Sequence, residues 1–261
     1  MAKIPLTAHL RMMRHLPYWR WVLRSDIGVF RRLYMPIERF KRRLNPAFRD
    51  LPVNDRTELV IEGYPRSGNT FSAHAFQYAQ GRKVSIANRC HAPAQIMEAV
   101  HRDIPCLLLI RKPVESAISS YVYINGKLTP EFLLHHYLKF YRTLEPLLKE
   151  VVVASFEQVK NDFGHVIFRL NSRYAKDYEL FENTPENVNA VFESIDKFDR
   201  EFRQADSISQ RGVSRPVDAR TALKQEATAV FEAPRLQALI QECEELYAHV
   251  VSHSQVAVTS Y

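Results

Sequence analysis

The stretch Gly63-Tyr-Pro-Arg-Ser-Gly-Asn-Thr70 decides how this chain is expected to fold. It follows an apolar run at 58–61 that predicts a strand, and it precedes a helical pattern over 70–80. A Gly-containing loop in that place can cradle phosphate, because backbone N–H groups converge there and the helix N-terminus adds partial positive charge. Gly63, Gly68 and Thr70 match the first, sixth and eighth positions of a P-loop. The stretch therefore predicts a phosphate-binding loop, with a purely structural turn as the alternative.

Strand and helix patterns alternate on the C-terminal side of this loop. Short apolar runs at 84–87, 106–110 and 151–154 predict strands, and helical periodicity predicts helices at 93–100, 114–123 and 130–149. Alternation of this kind is typical of a parallel sheet with helices on both faces. We therefore predict an α/β, three-layer, P-loop-like fold with a central parallel sheet flanked by helices, plus a helical N-terminal extension. After residue 160 the pattern is mostly helical, with a polar loop near 205–218.

Composition narrows the class of protein. The chain has 261 residues, of which 46% are hydrophobic and 25% charged, as in ordinary globular domains rather than disordered or fibrous chains. The longest apolar runs are about five residues, too short for a transmembrane helix, so we expect a soluble, cytoplasmic protein. Cys90, Cys106 and Cys243 are far apart and lack metal-ligand spacing. They predict neither a disulfide scaffold nor a zinc site, and we expect no metal.

The N-terminal segment is basic. Residues 1–50 hold 12 Lys or Arg against 3 Asp or Glu. Such a segment could make peripheral contact with a membrane or another anionic partner. The alternative is a pair of amphipathic helices that dock on the core and point their Arg side chains outward. Apolar residues at helical spacing favour docking: Leu6, Leu10 and Met13, then Phe30, Leu33, Ile37 and Phe40. We predict a basic helical extension over 1–55 and an α/β domain over 56–261.

Two cations are predicted to lie near the loop. Its seventh motif position is Asn69, where an ATPase or GTPase has Lys, and the cation is instead Arg66 inside the loop. The strand at 106–110 is followed by Arg111 rather than by a Mg²⁺-binding acid. Arg111 is expected at the sheet edge where ligands bind in open α/β sheets, and Ser119 is expected two turns into the next helix. Both side chains suit a phosphate.

Several segments together resemble the sulfotransferase family, which uses 3′-phosphoadenylyl sulfate (PAPS). Residues 64–71 (Tyr-Pro-Arg-Ser-Gly-Asn-Thr-Phe) are similar to its 5′-phosphosulfate loop. Arg111-Lys-Pro, with Ser119 and Tyr121, is similar to its 3′-phosphate motif, and residues 89–95 are similar to the segment that carries its general base. Weaker likenesses occur at 155–159 and 211–215. The resemblance covers roughly residues 58–250, in the right order.

The resemblance implies transfer of a sulfuryl group from PAPS to a hydroxyl or amine, without a metal. It implies two catalytic residues, His91 as general base and Arg66 as the cation on the leaving oxygen. The implied cofactor-binding residues are Arg66, Ser67, Gly68, Asn69, Thr70, Phe71, Arg111, Ser119, Phe156, Arg211 and Gly212. The family's loop Lys is Arg66 here, its stacking Trp is Phe71, and the C-terminal loop lacks a Trp and one Gly. The departures in the C-terminal loop matter most, because in the family this loop clamps over the nucleotide.

Other assignments stay open. Glu115 and Glu157 are the alternatives for the base, and His135 and His136 are expected on a helix surface or an acceptor-pocket wall. The acceptor is expected to be a small molecule, a carbohydrate or a lipid, and no nucleic-acid partner is expected. Two other functions remain: a P-loop nucleotide or small-molecule kinase, and a non-catalytic module that binds PAPS or its product adenosine 3′,5′-bisphosphate (PAP).

Overall fold

A computed structural model describes residue 21 and the ranges 23–43, 51–203 and 218–254. Four parallel strands form its sheet in the order β2-β1-β3-β4. The strands are β1 (Leu59–Gly63), β2 (Ile86–Ala87), β3 (Cys106–Ile110) and β4 (Val152–Ser155). Each lies within two residues of its predicted position, because the strands are short and mainly apolar, and β1, β3 and β4 are buried along their whole length.

Helices connect and cover these strands. An α-helix precedes the sheet: α1 (Arg31–Arg43), after a short π-helical turn at Leu23–Ile27. The next four are α2 (Asn69–Ala79), α3 (Pro93–His101), α4 (Pro113–Tyr123) and α5 (Pro130–Leu144). After β4 follow α6 (Phe156–Asn161), α7 (Phe163–Tyr174), α8 (Pro185–Arg203), α9 (Asp218–Phe231) and α10 (Gln237–Ser252). Single 3₁₀ turns occupy Glu145–Leu147 and Pro234–Leu236.

The sheet separates two hydrophobic clusters, which gives the predicted three layers. Because side chains alternate along a strand, Leu107 and Leu109 point into one cluster while Leu108 and Ile110 point into the other. One cluster contains residues of α1, α3, α4, α5, α9 and α10, and the other contains residues of α2, α7 and α8. The predicted α/β fold, with a parallel sheet flanked by helices, is therefore confirmed.

The strand order creates a switch point between β1 and β3. From β1 the chain runs outward to β2, and from β2 it crosses back to β3 on the other side of β1. Gly63 pairs with Leu109, so the carboxyl ends of β1 and β3 are level. Open α/β sheets bind ligands in the crevice at such a point, and the loops that follow both strands meet there.

One helix is shorter than predicted. The apolar pattern over 130–149 predicts a single helix, but α5 ends at Leu144 and a 3₁₀ turn follows. Pro146 is the physical reason, because proline lacks an N–H and its ring clashes with the carbonyl four residues earlier. Leu148 is still buried, which explains why the apolar pattern continues past the end of the helix.

Helix α1 docks through a mixed face, contrary to prediction, with Tyr34 and Met35 buried beside its charged contacts to α3. Arg31 and Arg39 form ion pairs with Glu98 of α3 at 2.7 and 2.6 Å. The apolar residues that were expected to dock are instead exposed: Phe30, Leu33, Ile37 and Phe40. Leu6, Leu10 and Met13 lie outside the described residues. The division at residue 55 stays a prediction, although Trp21 and Tyr34 belong to the same cluster as β3.

Replacing Glu98 by Gln is expected to destabilise the protein. Its side chain is only 6% exposed and binds Arg31, Arg39 and also Arg102, at 2.8 Å. Three guanidinium groups would lose their carboxylate, at a cost of about 2–3 kcal/mol given their partial exposure. Thermal unfolding followed by circular dichroism should show this loss, with Glu193→Gln on exposed α8 surface as the matched control.

Acid should remove the difference in melting temperature between wild type and the Glu98→Gln variant. Burial acts to raise the pKa of Glu98, but hydrogen bonds from Arg31, Arg39 and Arg102 lower it to about 2. A carboxyl group with a depressed folded-state pKa stabilises the fold fully above its unfolded pKa of about 4.5, and this stabilisation is lost as the pH falls towards 2. A difference in melting temperature that did not shrink between pH 6 and pH 3 would contradict the assignment.

Candidate functional site

The loop between β1 and α2 needs glycine at two positions. A Cβ added to Gly63 would lie 2.3 Å from the backbone oxygen of Leu109, so β1 and β3 can approach there only without a side chain. Gly68, which precedes α2, has φ of 95°, a left-handed conformation that other residues rarely adopt. An added Cβ at Gly68 would also meet the Phe156 ring at 3.3 Å. Any side chain at Gly68 would therefore reshape the loop.

The N-terminus of α2 offers backbone donors. The first N–H groups of a helix have no intrahelical partner, and no side chain of the described residues caps this helix. The Asn69 amide nitrogen donates to the backbone oxygens of Gly63 and Tyr64 at 3.5 and 3.2 Å. Its carbonyl oxygen is buried and has no partner among the described residues. Asn69 thus closes the loop on itself, where a P-loop Lys would reach towards phosphate.

The two cations and the serine predicted for the site lie together. The Arg66 Nε donates to the Ser119 Oγ at 3.1 Å, although the two residues are 53 positions apart. The Arg111 Nη1 donates to the backbone oxygen of Arg66 at 3.4 Å. The loop after β1 and the segment after β3 therefore form one cationic surface at the switch point.

Arg111 has three further partners. Its guanidinium binds the Glu115 carboxylate at 2.9 and 3.1 Å, and it stacks over the Phe156 ring at 4.1 Å. The hydroxyl of Tyr137 donates to its backbone oxygen at 2.9 Å. Stacking holds the planar guanidinium in one orientation, while Glu115, which is exposed, is the partner that an anionic ligand could displace.

His91 lies against the start of the same loop. Its Nδ1 is 3.0 Å from the backbone oxygen of Gly63 and 3.3 Å from the Glu62 Oε1. Because a carbonyl oxygen can only accept, Nδ1 carries the proton in this arrangement. The lone pair of Nε2 is then available to accept a proton from another molecule. The geometry suits a general base, and the role itself stays a prediction.

Glu62 is a site residue that the sequence reasoning missed. Its side chain is fully buried at the end of β1 and accepts hydrogen bonds from the backbone nitrogens of Cys90 at 2.8 Å and Gly63 at 3.1 Å. It therefore ties the loop of His91 to the loop between β1 and α2. The signal was present: Glu62 is the single acid in the otherwise apolar strand Leu59-Val-Ile-Glu-Gly63.

Three cationic or titratable residues of these loops have left-handed backbone. Arg66, Arg89 and His91 have φ of 71°, 62° and 52°. Such a conformation costs a non-Gly residue about 1–3 kcal/mol and is concentrated at functional sites. Among the described residues, the other non-Gly residues with positive φ are Asp103, Asn125 and Ala175, which lie elsewhere, so half of these conformations occur in the loops of the candidate site.

The other residues that were predicted for the site make few polar contacts or lie outside the described residues. Ser67 is buried, with its hydroxyl 3.5 Å from that of Tyr141. Thr70 is half-buried in the first turn of α2. The Phe71 ring contacts Phe181 and Phe192, with centroids 6.2 and 5.5 Å away. Arg211 and Gly212 lie outside the described residues, so their roles stay predictions.

His136 is buried rather than on a helix surface. It is enclosed by aromatic rings, with Trp21 and Tyr64 both 5.2 Å away. Neither ring nitrogen has a hydrogen-bond partner among the described residues. Burial, reinforced by the charges of Arg24 and Lys139, lowers the pKa of His136 to about 3. His136 is therefore neutral at pH 7, whereas His135 is exposed.

Metal-ligand clusters, membrane-spanning helices and disulfide bonds are all absent from the described residues. No cluster of three or more His, Cys, Asp or Glu that could hold a metal occurs among them. Within the same residues, each helix is too short or too polar to span a bilayer. The three cysteines are buried and free.

Comparisons with known proteins are sparse. No protein-family model matches the chain, and no curated protein sequence matches it either. One similar solved structure is that of the mouse sulfotransferase SULT7A1 complexed with PAP, which is 12% identical. The match covers 76% of this chain and 91% of that one, with a TM-score of 0.38. A likeness at this level carries no weight for activity, and the function proposed next rests on the residues of the site.

Proposed function

We propose that this protein is a sulfotransferase that moves a sulfuryl group from PAPS to a hydroxyl or amine. The observation that carries the proposal is the contact between Arg66 and Ser119, supported by the Arg111 bond to the Arg66 backbone. It unites the segment expected to hold the 5′-phosphosulfate with the segment expected to hold the 3′-phosphate. A nucleotide with phosphates on both sides of its ribose fits such a double site.

Each half of the nucleotide has suitable donors. The free N–H groups at the start of α2, with Ser67 and Thr70, suit the 5′-phosphosulfate. Arg111 and Ser119 suit the 3′-phosphate, because a guanidinium makes planar, multidentate contact with phosphate oxygens. The 3′-phosphate would take the place of the Glu115 carboxylate on Arg111.

The chemistry requires no metal in this proposal. Sulfuryl transfer is an in-line displacement in which negative charge develops on the leaving oxygen, as in phosphoryl transfer. Arg66 would neutralise that charge, and backbone N–H groups of the loop would add to the same effect. His91 would accept the proton of the attacking hydroxyl at Nε2, while Glu62 and the Gly63 carbonyl fix the ring by binding Nδ1.

A kinase is a weaker candidate for this site. Asn69 stands where a kinase P-loop has its phosphate-binding Lys, and its amide nitrogen bonds within the loop. Arg111 follows β3 in place of a Mg²⁺-binding acid. Thermal-shift titration separates the two functions, because a ligand that binds only the folded state raises its stability. PAP should raise the melting temperature without Mg²⁺. Stabilisation by ATP–Mg²⁺ and not by PAP would overturn the proposal.

Replacing Arg111 by Ala should weaken the binding of PAP and leave the binding of adenosine 5′-monophosphate unchanged. The lost contact is to the 3′-phosphate, and charge-assisted hydrogen bonds of this kind are worth about 1.5–3 kcal/mol, or roughly tenfold to a hundredfold in affinity. Isothermal titration with both nucleotides measures the difference. Lys112→Ala, at the exposed neighbouring position, is the matched control. Equal weakening of both nucleotides would remove Arg111 from this role.

A second variant tests the competition at Arg111. Replacing Glu115 by Gln removes the negative charge that the guanidinium binds without nucleotide. PAP should then bind more tightly, by up to about tenfold, because the phosphate no longer displaces a carboxylate. Unchanged or weaker PAP affinity in Glu115→Gln would contradict this arrangement. PAP binding without turnover of any acceptor would instead favour a non-catalytic module.

A further inference from the structure

Helix α1 exposes a second row of apolar side chains in addition to the ones that it buries. Its inner face holds the buried Tyr34 and Met35 beside Glu38, and Arg31 and Arg39 reach inward to Glu98. The opposite side carries four exposed apolar residues, named here the outer stripe: Phe30, directly before α1 (61% exposed), Leu33 (52%), Ile37 (38%) and Phe40 (65%). The outer face of a surface helix is normally polar.

The outer stripe is continuous. Its members are spaced three, four and three residues apart, so they lie along one side of a helix with 3.6 residues per turn. From first to last they extend about 15 Å at 1.5 Å per residue. The other large apolar side chains that are exposed in the described part of the chain are spread over separate elements: Tyr78, Tyr123, Phe168, Leu180 and Val230. The outer stripe is thus a patch, which marks an interaction surface.

Exposed cations border this patch. Arg32 and Lys41 are exposed and fall on either side of the outer stripe when the helix is viewed along its axis, although the Lys41 ammonium also pairs with the buried Glu38. Residues 31–43 hold six Lys or Arg and one Glu. The buried Glu38 and Glu98 offset only part of this charge. An apolar line between cations is typical of helices that lie in the headgroup region of a membrane.

We propose that the outer stripe binds the surface of a bilayer that contains anionic lipids. Helix α1 would lie parallel to the membrane, with Phe30 and Phe40 in the boundary between headgroups and acyl chains and Arg32 at the lipid phosphates. A second copy of this chain is a poorer occupant. Two stripes facing each other would bring the same cations together across the interface, and like charges at that distance repel.

Vesicle flotation with the full chain tests the proposal. The protein should float with phosphatidylcholine vesicles that contain about a third phosphatidylserine, and less with phosphatidylcholine alone, because lipid charge attracts basic residues. Salt near 0.5 M should weaken the binding by screening. In the double variant Phe30→Asp/Phe40→Asp, the loss of two apolar anchors should reduce the vesicle partition coefficient by about tenfold or more.

The matched control is Phe168→Asp/Leu180→Asp, which changes two apolar side chains of similar exposure elsewhere on the surface. It should float like wild type. The melting temperatures of both double variants, measured in parallel, should stay close to that of wild type because all four side chains are largely exposed.

Three results would overturn the proposal. Wild-type protein could fail to float with anionic vesicles at low salt. The Phe30→Asp/Phe40→Asp variant could float as well as wild type, which would place the contact on other basic residues. Light scattering could show a wild-type dimer that this variant converts to a monomer, without any vesicle binding, which would assign the outer stripe to self-association.

Discussion

Replacing His91 by Ala is expected to lower the rate of sulfuryl transfer by about 10²–10⁴-fold, the contribution typical of a general base. The affinity for PAP should stay nearly unchanged, because His91 is expected to act on the acceptor and not on the nucleotide. Transfer of labelled sulfate from PAPS to a panel of phenolic, carbohydrate and lipid hydroxyls measures the rate. Titration with PAP measures the affinity in the same preparations.

Two further variants sharpen the test of His91. His165→Ala removes an exposed histidine on α7 and should leave the rate unchanged. Glu62→Gln keeps a hydrogen-bond acceptor but removes the charge near Nδ1, so it should reduce the rate less than His91→Ala and should shift the pH profile of the rate. Near-full transfer in His91→Ala would move the base to Glu115 or Glu157.

Replacing Arg66 by Ala is expected to lower both the rate of transfer and the affinity for the nucleotide. Loss of a group that stabilises developing charge typically lowers a rate by about 10²–10³-fold. The same guanidinium is expected to bind the 5′-phosphosulfate, so PAP should also bind more weakly. Arg66→Lys should be tolerated better than Arg66→Ala, because the positive charge survives although the planar fork does not. Single-turnover and titration measurements separate the two effects.

Ser119→Ala is the comparison for Arg66. It removes the hydroxyl that accepts from the Arg66 Nε and leaves the cation in place. The affinity for PAP should fall in this variant, while the rate at saturating PAPS should change much less than in Arg66→Ala. A variant Arg66→Ala with weaker binding and an unchanged saturated rate would show that Arg66 binds the nucleotide but does not act on the leaving oxygen.

The sheet and the arrangement of the site follow from local sequence. Each strand is an apolar run between polar residues, and parallel strands place their carboxyl ends at one edge. That rule is sufficient to predict that Arg66, His91 and Arg111 lie near one another, and the structure places them at the same edge. Their chemical roles do not follow from position and stay predictions.

The features that the sequence did not reveal depend on distant partners. Helix α1 turns Arg31 and Arg39 inward, beside the buried Tyr34 and Met35, because Glu98, about 60 residues away, binds these arginines. An apolar pattern shows which residues share a helix face, but it does not show which face packs on the core. His136 was missed for a similar reason, since the rings that bury it come from Trp21 and Tyr64, far away in the sequence.

Helix α1 also holds the loop of the proposed base, which couples two surfaces of the molecule. The Tyr34 hydroxyl donates to the Cys90 backbone oxygen at 3.4 Å, and the Arg42 guanidinium donates to that of Arg89 at 3.3 Å. A contact that shifts α1 therefore acts on the backbone that positions His91. Thermodynamic linkage is reciprocal. If lipid at the outer stripe changes the affinity of the site for its ligands, those ligands must change the affinity for lipid by the same factor.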